Sequence, residues 1–437
     1  MDAHRFYDLK NDIQDELSAR IRQVSDGANQ ETIKALIEQT TLDLAYSYGD
    51  IADEDIRKLN EDLINEFIYL GPLEPLLKDP TISEIMVNGS GFDKDGNMLP
   101  HKVWIERDGI LEFCPDIVFE NEEHVRRIMN RIVARQGRHI DESNPIEDAT
   151  LTDGSRFNGT IYPVAPDGST FNIRRFQQDR LGFQDLLRIG TFTEKQMIFL
   201  KACVIGRCSI LVSGGTGSGK TTLLNVLGRF IPKPERIITI EDTCELQISH
   251  ANLVRLEARK KNIEGEGEIT LDDHLRSALR KRPDRIIVGE CRGPEAYTML
   301  EAMNTGHEGS MTTIHANSPV DALVRLATLV KSHSYANGLS EDTIKAKIAS
   351  ALDLVVQIQR LPDGTRKCVG IESVGDYIDG NIQHEPLWEF KREGMDEHGN
   401  VIGRHISTGV QPAKIRQKIQ DAGIEYDLNW RIDDEVI

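Results

Sequence analysis

Residues 209–222 of this 437-residue chain, Ser-Ile-Leu-Val-Ser-Gly-Gly-Thr-Gly-Ser-Gly-Lys-Thr-Thr, carry its most specific chemistry. Gly214, Gly219, Lys220 and Thr221 satisfy the spacing G-x-x-x-x-G-K-[ST] of a phosphate-binding loop. Glycines let successive backbone N–H groups converge on an anion where any Cβ would intrude. Gly214, Gly215, Thr216, Gly217, Ser218, Gly219, Lys220, Thr221 and Thr222 are therefore the candidate contacts for the phosphates of ATP. A helix starting behind the loop would present roughly half a positive charge to the anion. Lys220 can reach the β- and γ-phosphates, and the Thr221 hydroxyl can ligate Mg²⁺. A glycine turn matching by chance would lack the strand before it and the helix after it.

Binding a nucleotide is not turning it over, which needs a base and charge stabilisers. Two apolar runs downstream end in carboxylates: Ile240-Glu241-Asp242, and Val288-Gly289-Glu290. Acids after a strand are ordinarily helix caps or solvated loop residues. Two of them following strands of the P-loop's own sheet instead suggest water activation or Mg²⁺ support. A Walker B strand usually ends in aspartate where Gly289 stands, so Glu290 and Glu241 divide the roles of base and metal support between them. Glu241 can hold Mg²⁺ through its water shell. His315 follows the β-branched run Thr312-Thr313-Ile314 and can donate to a phosphate oxygen or relay nucleotide state. A satisfied structural histidine is the competing reading. Arg174, Arg175 and Arg282 are candidate arginine fingers, as are Arg280 and Arg285, although most arginines only solubilise a surface.

The elements that must position these groups follow from periodicity. Ser209–Val212, Ile237–Ile240, Ile286–Val288, Met311–Ile314 and Leu354–Ile358 read as buried strands separated by helices, hence a parallel sheet covered on both faces. Ligands of such sheets sit at the carboxyl ends of the strands, where the P-loop falls. Thr193 to Gln196 reads as a capping box ahead of a helix. Residues 1–70 show three helical stripes, which can form a bundle or dock on a neighbour. Residues 71–183 mix strands, among them Ile85–Val87, Val103–Ile105 and Phe171–Ile173, with a helix around Val125–Val133. Arg126, Arg127, Arg131 and Arg135 on that helix read as a solvated basic face. Residues 376–437 read as a polar appendage. The expected domains are thus 1–70, 71–183, 184–375 and 376–437.

Composition bounds the rest. A net charge of −19 opposes a general nucleic-acid binder. Six scattered cysteines form no C-x-x-C pair, which suits a reducing cytoplasm. No apolar run approaches the ~20 residues that span a bilayer, and the first residues lack a signal-peptide core.

Four motifs in this order resemble the type II/type IV secretion ATPase superfamily: Walker A at Gly214–Thr221, the Asp box at Ile240–Asp242, the atypical Walker B at Arg282–Glu290, and the His box at Gly306–His315. Gly289 is ordinary in that superfamily. Within it the chain is most similar to the CpaF family of tight-adherence (Tad) pilus motor ATPases. Leu70-Gly71-Pro72-Leu73, Ser83–Gly89, Asp141-Glu142-Ser143, Arg255-Leu256-Glu257, residues 262–265 and Ala302–His307 carry that likeness. It spans about residues 70–360 and is looser at both ends. Cys291 in place of an aliphatic residue and a longer turn over Phe92–Lys102 depart from the pattern.

The resemblance implies an α/β fold: a RecA-like P-loop domain preceded by a smaller PAS-like α/β domain and a helical bundle. It further implies a homo-hexamer using ATP and Mg²⁺, with nucleotide between the two domains. Such a hexamer sits at the cytoplasmic face of the inner membrane under pilus platform proteins. The tetracysteine motif of some relatives is absent, so no zinc is expected. The competing readings are a VirB-type secretion ATPase with another cargo, and a nucleotide-gated scaffold without turnover. A small-molecule kinase is disfavoured, because no lid or acceptor segment is evident.

Overall fold

A computed structural model describes residues 3–23, 29–49, 51–95, 97–107, 109–176, 181–261, 266–424 and 435–436. Residues 262–265, quoted above, and most of the last thirteen residues lie outside that set. The chain divides into two compact units, Met1–Gln177 and Gln178–Ile437. No helix among the described residues is long and apolar enough to cross a membrane.

The first unit begins with α1 (Ala3–Gln23), α2 (Gln30–Ser47) and α3 (Asp53–Ile68). Their stripes meet one another, burying Leu9, Ile13, Leu17, Ile37, Leu59 and Leu63 in one small core. A bundle is therefore what the stripes build, and α3 also docks. Glu66, buried near its end, takes a hydrogen bond from Arg127 Nη2 at 2.6 Å and lies 3.0 Å from His124 Nε2. Arg131 donates to the carbonyls of Glu66, at 2.7 Å, and Tyr69. Two arginines expected on a solvated face thus satisfy a buried acid and the orphan carbonyls of a helix end.

After α4 (Glu74–Lys78) come β1 (Ile82–Asn88), β2 (Lys102–Arg107), β3 (Ile110–Phe113), α5 (Glu122–Ala134), β4 (Ile146–Thr150), β5 (Arg156–Thr160) and β6 (Thr170–Arg174). The strands form a wholly antiparallel sheet in the order β3-β2-β1-β6-β5-β4. Val125, Ile128, Met129 and Ile132 of α5 bury against Ile85, Val87, Phe157, Phe171 and Ile173. The opposite face carries the alternate residues, a mixture of Glu84, Asn158, Asn172 and Arg174 with Met86, Trp104 and Phe113. This is the PAS-like part of the α/β fold.

The second unit runs α6 (Phe183–Arg188), α7 (Glu194–Ile205), β7 (Ile210–Gly214), α8 (Lys220–Gly228), β8 (Ile237–Glu241), β9 (Leu253–Glu257), α9 (Leu271–Ala278) and β10 (Arg285–Val288). It continues with α10 (Glu295–Asn304), β11 (Met311–Ile314), α11 (Pro319–Lys331), α12 (Glu341–Ala351), β12 (Leu354–Arg360), β13 (Arg366–Ile378), β14 (Asn381–Met395), β15 (Val401–Ser407) and α13 (Ala413–Asp421). The expected capping box forms: Thr193 Oγ1 accepts from Gln196 N, and Gln196 Oε1 accepts from Thr193 N at 2.9 Å. The sheet order is β15-β14-β13-β12-β7-β11-β10-β8-β9, parallel from β12 to β9 and antiparallel beyond β12. Helices α7, α8 and α13 cover one face of the parallel part and α9 to α12 the other. All five expected strands are present. β9 joins them.

The polar appendage expected over 376–437 packs on the second unit as part of its sheet, with the one short helix expected within it. β13 crosses its boundary, and β14 and β15 extend the same sheet. Leu387 and Trp388 of β14, with Ile415 and Ile419 of α13, belong to the core shared with α7 and α8. α13 is held by charge as well. Fully buried Asp353 accepts from Ser209 N at 2.7 Å and from Lys418 Nζ at 2.8 Å, with Lys414 Nζ at 3.0 Å. An antiparallel extension with one face to solvent alternates polar and apolar residues, which reads as a polar tail when its partners are unknown.

Candidate active site

β7 ends at Gly214 and α8 begins at Lys220, and the turn between them presents Gly215, Thr216 and Gly217 to solvent. Gly217 (φ 68°) and Gly219 (φ 99°) adopt left-handed backbone conformations that side chains resist. A Cβ on Gly214 would collide with the Ile358 carbonyl of β12 and stand 2.5 Å from Ser218 Oγ. Lys220, 7% exposed, donates from Nζ to Gly214 O at 3.0 Å and Gly215 O at 2.8 Å. Burial lowers its pKa, against the opposing influence of Glu290. Thr221 is half-buried at the start of α8. A cradle of positive-φ glycines closed by a lysine and a helix N-terminus fits a polyphosphate.

Strand order decides what faces that cradle. β11 lies between β7 and β10, so the residue after β11 emerges between the P-loop and the residue after β10. His315 is that residue. Its Nδ1 lies 3.4 Å from Lys220 Nζ, and its Nε2 lies 3.5 Å from Glu290 Oε1. An ammonium has no acceptor, so Nδ1 must accept, and the ring proton sits on Nε2, facing the carboxylate. Burial, then Lys220, Arg325 and Arg292, lower the His315 pKa and keep the ring neutral. Gln357 Nε2 donates to Ala316 O at 3.2 Å and steadies the turn that carries His315. The three side chains form a cation–imidazole–carboxylate row along the strand ends.

Glu241 is placed differently. It ends β8, one strand beyond β10, and is 4% exposed. Its Oε1 accepts from the N–H groups of Glu245 and Leu246, both at 2.9 Å, and its buried Oε2 finds no hydrogen-bond partner among the described residues. Burial, partly offset by those two N–H groups, raises its pKa to about 7. A Cβ on Gly289 would stand 2.9 Å from Glu241 Cγ, which explains glycine at that place in the Walker B strand. Mg²⁺ keeps several waters and wants octahedral room. A carboxyl covered on one side and engaged on the other leaves no room for direct ligation of such an ion. Among the described residues no group of three or more His, Cys, Asp or Glu side chains is arranged to hold a metal ion.

Residues 69–405 match the family model described as type II/IV secretion system protein. The chain belongs to that family. It is 33% identical over 341 residues to a putative conjugal transfer protein of Mycobacterium tuberculosis, covering 77% of this chain and 92% of that one. Over 317 residues it is 32% identical to Protein VirB11 of Agrobacterium fabrum, covering 66% and 88%. Among solved structures it matches the VirB11 ATPase of the Brucella suis type IV secretion system, with 30% identity, a TM-score of 0.37, and coverage of 69% and 91%.

In this type II/IV secretion system protein the candidate arginines separate. Arg282 (φ 52°) and Arg285 stand at the start of β10, the opposite end from Glu290. Arg285 is wholly buried against Glu235, at 2.6 Å, and Gly309 O. Neither reaches the P-loop of its own chain, because a residue before a parallel strand emerges at the wrong edge. In the first unit Arg175 spans the carbonyls of Leu76, at 3.0 Å, and Asp79, at 3.3 Å, a structural assignment. Arg174 pairs with Glu84 at 2.6 Å, yet its side chain is 62% exposed.

Two further arginines lie outside the sequence candidates for the site. Arg156 lies directly opposite Arg174 across β5 and β6, and Glu84 supplies the carboxylate beside Arg174. Arg366 of β13 donates from Nε to Gly217 O of the P-loop at 2.9 Å. Only strand register reveals either one.

Proposed function

We propose that this chain is an ATPase motor subunit that, as a homo-hexamer, hydrolyses ATP to drive pilin through a Tad-type platform at the inner membrane. The observation carrying the hydrolytic reading is the row Lys220–His315–Glu290 at the carboxyl edge of the parallel sheet. Lys220 and the loop amides hold the phosphates. Glu290 accepts a proton from the attacking water, and the His315 Nε2–H orients that carboxylate. Thr221 would hold Mg²⁺, which supplies charge neutralisation on the phosphates. Glu241 shapes the Asp-box turn beside Gly289. Arg174 is the arginine proposed to meet the γ-phosphate.

The Tad assignment rests on the motifs over residues 70–360. The VirB-type alternative draws support from the relatives named for conjugal transfer and VirB11, whose chemistry would be the same with a different cargo. Steady-state phosphate release by the purified full chain separates motor from scaffold. Lys220→Ala should lose binding and turnover together. Glu290→Gln should bind ATP and lose turnover by at least ~100-fold, within the usual range for a general base. Normal turnover in Glu290→Gln, with loss in Glu241→Gln, would assign the base to Glu241 instead. Restoration of piliation in a host lacking the gene decides the cargo.

A further inference from the structure

The hairpin from β12 to β13 climbs beside the P-loop. Ile358 of β12 is in register with Gly214, and Arg360 faces Arg366 in the last pair before the hairpin's turn. The tip is stiff: Asp363 Oδ1 accepts from Thr365 N at 2.9 Å and from its hydroxyl at 2.7 Å. Asp363 Oδ2 accepts from Val401 N at 2.7 Å, tying the tip to β15. From this frame Arg366 reaches across to Gly217 O, and its Cδ lies 3.6 Å from the place of a Cβ on Gly219.

We infer that Arg366 is a positioning residue for nucleotide binding: by fixing the Gly217 carbonyl it sets the direction of the Ser218 N–H that the phosphates must meet. The reason is the peptide plane. In a planar trans peptide the carbonyl and the following N–H point to opposite sides, so anchoring one aims the other. Gly215 and Gly217 have open space within 4 Å of a hypothetical Cβ, so packing does not hold this turn. The Ser218 N–H makes only a long bond, 3.4 Å, to Gly215 O, which a phosphate oxygen can replace. A glycine-rich turn without such an anchor would have to lose backbone freedom on binding, and that loss would weaken affinity. The Arg366 anchor comes from a strand some 150 residues later, in the half of the sheet beyond the parallel core.

This inference rests on the P-loop being a nucleotide site, and the test keeps the two apart. Fluorescent mant-ADP with Mg²⁺ is titrated against wild type, Lys220→Ala, Arg366→Met and Arg366→Lys. Arg366→Met should raise Kd about three- to tenfold, the effect of one exposed charge-assisted hydrogen bond. KM for ATP should rise by the same factor, with kcat changed less than twofold. Arg366→Lys should recover part of the affinity. The nucleotide-free melting temperature should stay within about 1 °C of wild type, since surface contacts of this size move stability little. Arg366→Gln replaces Met if that variant does not fold. Kd unchanged in Arg366→Met beside a binding wild type overturns this inference alone. A loss of affinity matched by a loss of melting temperature overturns it in favour of a structural role. Absence of binding in wild type overturns the nucleotide reading as well.

Discussion

Replacing Glu241 with glutamine should remove a pH-dependent stability penalty that the second unit carries at neutral and alkaline pH. The carboxyl is 4% exposed, one oxygen has no partner among the described residues, and its pKa stands at about 7 against an ordinary 4.5. A carboxyl with a raised native pKa binds more protons in the folded than in the unfolded state between those two values. Stability therefore falls as pH rises from about 4.5 to about 7, and the penalty is constant above. A shift of roughly 2.5 units corresponds to a ceiling of about 3 kcal/mol. Glutamine keeps the acceptor for the Glu245 and Leu246 amides and cannot ionise. It places an amide NH₂ at the orphan position, which costs about 1 kcal/mol or more at every pH. The quantity to measure is the stability difference between Glu241→Gln and wild type, by urea unfolding at pH 4.5 to 8. With Trp104 and Trp430 replaced, Trp388 in the second unit's core reports the transition. The difference should move toward the variant by 1–3 kcal/mol across that range and then level off. A flat difference, or one that favours wild type as pH rises, would refute the buried, uncompensated carboxyl.

Glu66 has the opposite sign. Burial works against its ionisation, but His124 and Arg127 prevail and bring its pKa down to about 2. Its stabilisation of up to about 3 kcal/mol is full above pH 4.5 and is lost as pH falls toward 2. Glu66→Ala should cost 2–3 kcal/mol at neutral pH and speed amide exchange in α1–α3, while β7 and α8 stay protected. Unchanged exchange in α3 would mean the latch to α5 is unimportant. Gly289→Ala should destabilise by about 1–2 kcal/mol through the Cβ contact with Glu241. Adding Glu241→Ala should recover part of that loss in thermal melts, as expected of residues in contact; simple additivity would place the strain elsewhere.

The sequence by itself determined whatever depends on neighbours along the chain. The P-loop, the strand before it, the helix after it and the capping box at Thr193 are local, because each is fixed by residues within a few positions of one another. The five buried parallel strands were legible too, since strands covered on both faces must be apolar throughout. Strand order was not. Nothing local says that β11 inserts between β7 and β10, yet that insertion sets His315 between Lys220 and Glu290 and leaves Glu241 a strand further out. Sequence assigned the two acids different parts without placing them; burial beneath Gly289 marks Glu241 alone. The same limit explains Arg282, which precedes its strand and so emerges at the far edge, and Arg366, whose carbonyl partner is about 150 residues away. It also explains why β14 and β15 read as an appendage. Chemistry that needs a residue type at a short spacing is written in the chain, whereas the partner of a side chain is decided by register and packing, to which sequence separation is blind.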